Sequence, residues 1–389
     1  CGDNPLLLLK ASFKNTGVNI EENIISRITG VNSSAVIRPI SRPFCAIISA
    51  TSPLVIIPIP QISDSFHVCL VTFAAKPHPI ILLNNATATK APATEAPKQT
   101  HAEKVRQSES FKRVEKQFIK STEKLSYQLT DIATKNKEVD LDSLFESANE
   151  IMAGETNTYQ LMDILSNIRY FDDSTYAHSM NVALLANIMG RWLHMNDQEL
   201  KLLTVSGMLH DIGKVLIPPE IIKKPGALTD EEFAIIKQHP LKGYQLLKEK
   251  NVDERISRAA LSHHEKCDGS GYPFGLNRYQ INEVAKIITI VDIYEAMTAN
   301  RCYRNGLCPF DVIKMLEDEG NEKYEPKYLI PFLQGISDTY LHNTVMLSDG
   351  RQGEVIMTNK NQVSRPSIMS GNDFIDLTHH PSLKIVSLL

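Results

Sequence analysis

Seven side chains raise the question of chemistry first. Met208-Leu209-His210-Asp211-Ile212-Gly213-Lys214 sets a histidine beside an aspartate at the end of an apolar run. His178 stands ahead of Val182 and Leu185, which mark a buried face. His239, the doublet His263-His264, and Asp292 at the end of Ile287–Val291 follow downstream. An adjacent His-Asp pair taken alone is more often a hydrogen-bonded structural pair, because a buried charge is costly unless it is paired or metal-bound. Five imidazoles and two carboxylates, each at a helix end or inside an apolar helix, point elsewhere. Imidazole with carboxylate is ligand chemistry for Mn, Fe, Zn or Ni. Seven such groups exceed one ion's needs and suit two metals sharing a bridging carboxylate and a water.

Cations and a glycine loop accompany this set. Lys214 follows Asp211 by three residues and shares its face if the segment is helical. There it could stabilise charge on a phosphoryl group, or simply meet the helix dipole. In His263-His264-Glu265-Lys266-Cys267-Asp268-Gly269-Ser270-Gly271-Tyr272-Pro273, Gly271 belongs to a loop that can approach a ligand closely. Tyr272 could stack on a base or donate to a phosphate. Arg301 and Arg304, three apart, could grip phosphate in bidentate fashion or form surface salt bridges.

Elements must position these groups. The 389 residues allow two or three domains. Ten of the 20 Pro but only 13 of the 86 charged residues lie in 1–100, so the N-terminal region differs in kind. Residues 1–40 read as a small β-containing module, with a helix over Glu21–Ile28 and a strand over Ala35–Ile37. Residues 41–100 are apolar and Pro-punctuated, ending in an Ala/Thr/Pro linker over 86–100. Residues 101–140 carry Phe111, Val114, Phe118 and Leu125 at helical spacing. That amphipathic helix packs on its own chain or on a partner, a second copy included. Residues 141–335 are helical without a βαβ period, with Thr229 a helix cap, Glu232 its capping-box partner, and stops at Gly190, Gly213 and Gly243. Residues 340–389 alternate as a small β module. The fold class is mainly α: an all-helical metal-binding domain with β-containing modules at both ends.

Composition narrows the setting. A net charge of −4 excludes a broad surface for polymeric nucleic acid. Six Cys without a C-x-x-C pair suggest neither a zinc finger nor a disulfide framework, and fit a reducing compartment. No run reaches the ~18 apolar residues needed for a transmembrane span. A cytoplasmic protein is expected. The start at Cys1 is read as truncation in preference to processing.

Together the motifs resemble the HD-GYP family, a branch of the HD phosphohydrolase superfamily. The residues are HDIGK at 210–214, KKPGALTDEEF at 223–233, HP at 239–240, HHEKCDGSGYPFGL at 263–276 and VDIYEAMTANRCYR at 291–304. The resemblance implies a cyclic di-GMP phosphodiesterase using two or three metals, often Fe or Mn. By position, one metal would take His178, His210, Asp211 and Asp292. The other would take Asp211, His239, His263 and His264. Lys214 matches the family's catalytic lysine, and Tyr272, Arg301 and Arg304 its ligand contacts. Three-metal members place a Glu where this chain has Ser174, with Asp173 one residue out of register, so two metals are expected. Glu295-Ala296-Met297 replaces the usual Asp-Ala-Leu, and Cys302 and Asn282 each replace a Pro. The implied reaction is in-line attack of water on phosphorus with a ribose 3′ oxygen leaving, giving pGpG or GMP. A non-catalytic receptor for the dinucleotide, and a hydrolase of another nucleotide, are the alternatives.

Overall fold

In the computed structural model, residues 36–39, 46–49, 101–154, 157–168, 175–299 and 306–389 are described. The chain divides into two compact units, Cys1–Thr94 and Glu95–Leu389. In the first, β1 (Val36–Pro39) pairs antiparallel with β2 (Ala46–Ser49), Val36 opposite Ser49. This pairing crosses the module boundary expected at residue 40. The helix expected over Glu21–Ile28 and the linker over 86–100 lie outside the described residues.

The second unit opens with α1 (His101–Gln107) and α2 (Glu109–Thr134). The Ser108 side chain accepts the Phe111 N–H and caps α2. Phe111, Val114, Phe118, Leu125, Leu129 and Ile132 form its buried stripe, joined to the main hydrophobic core. The apolar face of the 101–135 segment is therefore covered by its own chain, against α3 (Leu141–Met152) and α5 (Thr175–Trp192), with α4 (Thr158–Ile168) between those two in sequence.

Helix α5 runs through the core, buried on almost every side from Ala177 to Gly190. It lies along α6 (Asp197–Leu209), which starts on an Asn196–Glu199 capping box. A 3-10 turn (Ile212–Leu216), α7 (Pro219–Ile222), α8 (Asp230–Ile236), α9 (His239–Glu249), α10 (Glu254–Ser262) and α11 (Glu283–Thr298) follow. The expected Thr229–Glu232 capping box opens α8. Two expected helix stops are not stops: Gly190 lies inside α5 and Gly243 inside α9. Both are points of close packing. A Cβ on Gly190 would sit 2.7 Å from Leu200 Cδ2, and one on Gly243 3.2 Å from Gly213 N.

Helices α12 (Pro309–Lys323) and α13 (Pro326–Asp338) lead into five strands, β3 (Thr344–Leu347), β4 (Gln352–Met357), β5 (Ser367–Ser370), β6 (Asp373–Asp376) and β7 (Ile385–Leu388). They form an antiparallel sheet in the order β6-β5-β4-β3-β7. Val345, Leu347 and Val355 alternate inward onto the same core as the helices, as period-2 patterning demands. The Glu317 carboxylate accepts the Val363 and Ser364 N–H groups at 2.6 and 3.2 Å and ties the sheet to α12. The fold is mainly helical, with a small β module at its C-terminal end. No helix among the described residues is long and apolar enough to cross a membrane.

Candidate metal centre

Helix ends deliver most of the seven groups. His178 is in the first turn of α5, and His210 is the C-cap of α6 with Asp211 next to it. His239 opens α9, and His263 is the C-cap of α10 with His264 next. Asp292 projects from the middle of α11. They gather as two groups, His178–His210–Asp292 and Asp211–His239–His263–His264, with ligand atoms within 4.8 Å inside each. Asp211 faces both. Its Oδ1 lies 3.2 Å from His239 Nε2 and 3.6 Å from His263 Nε2. Its Oδ2 lies 3.3 Å from His210 Nε2 and 3.7 Å from His178 Nε2.

Backbone carbonyls orient three of the rings. His210 Nδ1–H donates to Gly207 O (2.7 Å), His239 Nδ1–H to Ile236 O (2.7 Å) and His263 Nδ1–H to Ala260 O (2.9 Å). Each carbonyl is three residues back, among those a helix end leaves unpaired. A carbonyl can only accept, so the proton sits on Nδ1 and each Nε2 turns a lone pair inward. His239 Nε2 and His263 Nε2 then face each other at 3.2 Å. His210 Nε2 and Asp211 Oδ1 are buried without a hydrogen-bond partner. Acceptors crowded this way in a dry interior repel one another unless a cation sits among them. This is a His/Asp cluster that could bind metal.

Burial and neighbouring carboxylates act in opposite directions on these rings. Burial pushes His263 down to about 4 and also holds His264 well below the usual range, so both rings are neutral. Burial would likewise lower His178, but the carboxylates of Glu295 and Asp292 outweigh it and raise the ring to about 10. Burial opposes ionisation of Asp211 and Asp292. Lys214 nonetheless holds Asp211 below the ordinary carboxylate range, and His178 does the same for Asp292.

Two carboxylates were not singled out from sequence. Glu295, 2 % exposed, accepts the His178 Nδ1–H and the Asn181 amide (3.1 Å). It sits three residues after Asp292, one helical turn on, a spacing that could have flagged it. A carboxylate behind a ligand histidine fixes the ring and raises its basicity. Glu295→Gln is expected to weaken metal affinity by about 10–100-fold, as such supporting partners do, in a chelator-competition titration. Unchanged affinity would show that Glu295 serves packing alone.

Glu265, 1 % exposed, accepts the Phe274 N–H (2.7 Å) and the Leu276 N–H (2.9 Å), closing the glycine loop. Gly271 presses on the chain itself: a Cβ there would lie 2.5 Å from Glu265 Cα and His264 O. The Tyr272 N–H donates to His264 O (3.2 Å), and the Tyr272 ring stacks on His264 at 4.7 Å between centroids. Lys214 Nζ lies 2.5 Å from Asp211 Oδ2 on the 3-10 turn. The loop thus brings Tyr272 and the turn brings Lys214 to the cluster. Arg301, Arg304, Ser174, Asp173 and Cys302 lie outside the described residues.

The HD domain family's sequence profile matches residues 159–328. The chain is 31% identical over 231 residues to the cyclic di-GMP phosphodiesterase PA4108 of Pseudomonas aeruginosa, covering 59% of this chain and 56% of that one. It is 33% identical over 188 residues to a cyclic di-GMP phosphodiesterase of Thermotoga maritima, covering 47% and 51%. It is 35% identical over 145 residues to the 3'3'-cGAMP-specific phosphodiesterase 1 of Vibrio cholerae, covering 37% and 34%. The chain spans about half the length of the first two of these curated relatives.

Proposed function

We propose that the chain is a member of the HD-GYP family and a metal-dependent phosphodiesterase hydrolysing cyclic di-GMP to pGpG or GMP in the bacterial cytoplasm, with residues 141–335 as its catalytic domain. The observation that carries this reading is Asp211, whose two oxygens each face a separate group of inward Nε2 atoms. One divalent ion would be held by His178, His210, Asp211 and Asp292, and a second by Asp211, His239, His263 and His264. Fe or Mn is favoured, and Zn or Ni suits the same donors. Such ions supply an activated water nucleophile and neutralise phosphate charge. Glu295 accepts the His178 Nδ1–H, which leaves His178 Nε2 as the atom that would face an ion.

The chain's own groups do the rest. Asp211 holds the Lys214 ammonium at the edge of the cluster, where it stabilises negative charge developing on the phosphoryl group or the leaving 3′ oxygen. Tyr272, backed by His264, offers a stacking face for a base. Arg301 and Arg304 contact the phosphates. Lys214→Met is expected to lower kcat on cyclic di-GMP by about 10²–10³-fold, the usual loss when one charge-stabilising donor is removed. Bound metal should stay at the wild-type level. Full turnover in that variant would reduce Lys214 to a partner of Asp211.

The test of the whole reading is turnover of cyclic di-GMP by metal-loaded protein, with 3'3'-cGAMP alongside. The similarity to a 3'3'-cGAMP-specific enzyme favours a second reading, in which the same chemistry serves the mixed dinucleotide. Hydrolysis of 3'3'-cGAMP alone would establish it. Tight binding of cyclic di-GMP without hydrolysis would make the protein a receptor.

A further inference from the structure

Beside the cluster, α8 carries an exposed aromatic and ends on an exposed cation that no step above uses. Lys237, the C-cap of α8, lies two residues before His239. Its Nζ sits 4.6 Å from the centroid of the Phe233 ring and 5.5 Å from that of Tyr272. Tyr272 in turn stacks on His264, a member of the second group. Lys237 thus bridges an outer ring, Phe233, and the ring already assigned to the site.

Two features separate this lysine from an ordinary surface one. Neighbouring Lys224 takes Glu232 at 2.5 Å, and no carboxylate among the described residues pairs with Lys237. Its charge is held over π faces, an arrangement that fixes the ammonium without neutralising it. Phe233, meanwhile, is 43% exposed although it is large and apolar. A solvated aromatic beside a fixed, unpaired cation matches what one nucleotide offers: a flat base and a phosphate.

We propose that Phe233 and Lys237 form a subsite for the half of the cyclic dinucleotide not being cleaved. The Lys237 ammonium meets the second phosphate, and the Phe233 ring stacks on its base. This rests on the proposed phosphodiesterase reading and adds to it the residues that recognise a two-phosphate ring. A cyclic dinucleotide carries two phosphates and two bases, and among the described residues the metal cluster with Lys214 and Tyr272 serves only one of each. The rim of α8 is placed to serve the other.

Lys237→Gln, Lys237→Arg and Phe233→Ala, all in the full chain, test this. The readouts are steady-state kinetics on cyclic di-GMP and on bis(p-nitrophenyl) phosphate, which has one phosphate, plus equilibrium binding of fluorescently labelled cyclic di-GMP. Lys237→Gln and Phe233→Ala are each expected to raise KM for cyclic di-GMP about tenfold, roughly 1.4 kcal/mol, with kcat within about twofold. The ratio of kcat/KM on cyclic di-GMP to that on bis(p-nitrophenyl) phosphate should fall by the same factor. Lys237→Arg should restore most of it, and binding should weaken in parallel. An unchanged ratio, whether both activities fall or neither does, overturns the subsite while leaving the phosphodiesterase reading intact. Wild-type protein that cleaves bis(p-nitrophenyl) phosphate but neither binds nor cleaves the dinucleotide overturns both.

Discussion

Asp211→Asn is expected to lower turnover of cyclic di-GMP by at least about 10³-fold and to leave the chain with one bound metal or fewer. The substitution changes almost no volume, so the argument is purely electrostatic. In the native chain Oδ1 faces His239 and His263 while Oδ2 faces His210, His178 and Lys214. An amide keeps one neutral acceptor and replaces the other with N–H donors. On one side the amide donates to an inward Nε2 and occupies the lone pair a metal needs. On the other side a neutral oxygen replaces a charged one. Both groups suffer, which no single histidine replacement should reproduce. His264→Ala should deplete only the second group, since His264 is absent from the first. Metal content per chain and kcat, measured on both variants with circular dichroism to confirm helicity, check this. Asp211→Asn protein with undiminished metal and turnover would refute the bridging role.

The clustering of the seven groups was legible in part because His210, Asp211 and Asp292 break a local rule. A histidine or aspartate at the end of an apolar run has no solvated alternative, so His210, Asp211 and Asp292 announced themselves before any contact was known. The Thr229 cap was legible for a similar reason, since capping is decided within four residues. What escaped was decided at a distance. Glu295 meets His178 across 117 residues of sequence, a contact that no local pattern encodes. Glu265 satisfies two N–H groups of a loop whose path sequence does not reveal. Gly190 and Gly243 read as stops because glycine does end helices. The packing that overrides this reading, Leu200 against α5 and the 3-10 turn against α9, exists only in the folded chain.

Gly213→Ala should damage the centre almost as severely while touching no ligand. A Cβ on Gly213 would sit 2.0 Å from the His239 carbonyl oxygen and 2.7 Å from Gly243 N. Both are backbone atoms, so no side chain can swing aside. The 3-10 turn carries Asp211 and Lys214, and α9 carries His239. Relieving the overlap means moving turn and helix apart by about 1 Å, a displacement that can cost about 10²-fold in rate. It also stretches the 3.2 Å between Asp211 Oδ1 and His239 Nε2, so metal affinity at the second group should fall with kcat. Overpacking of this kind costs about 1–3 kcal/mol of stability. A control must therefore separate site damage from general loosening. Gly335→Ala would drive a Cβ to 2.5 Å from the Trp192 ring, a milder side-chain intrusion between α13 and α5, away from the cluster. It should lower the melting temperature while folded protein keeps its metal and its turnover. If Gly213→Ala behaved like that control, close contact of turn and helix would not be what sets the ligand spacing. If it loses metal and rate together, glycine at 213 is as necessary to the centre as the aspartate two residues before it.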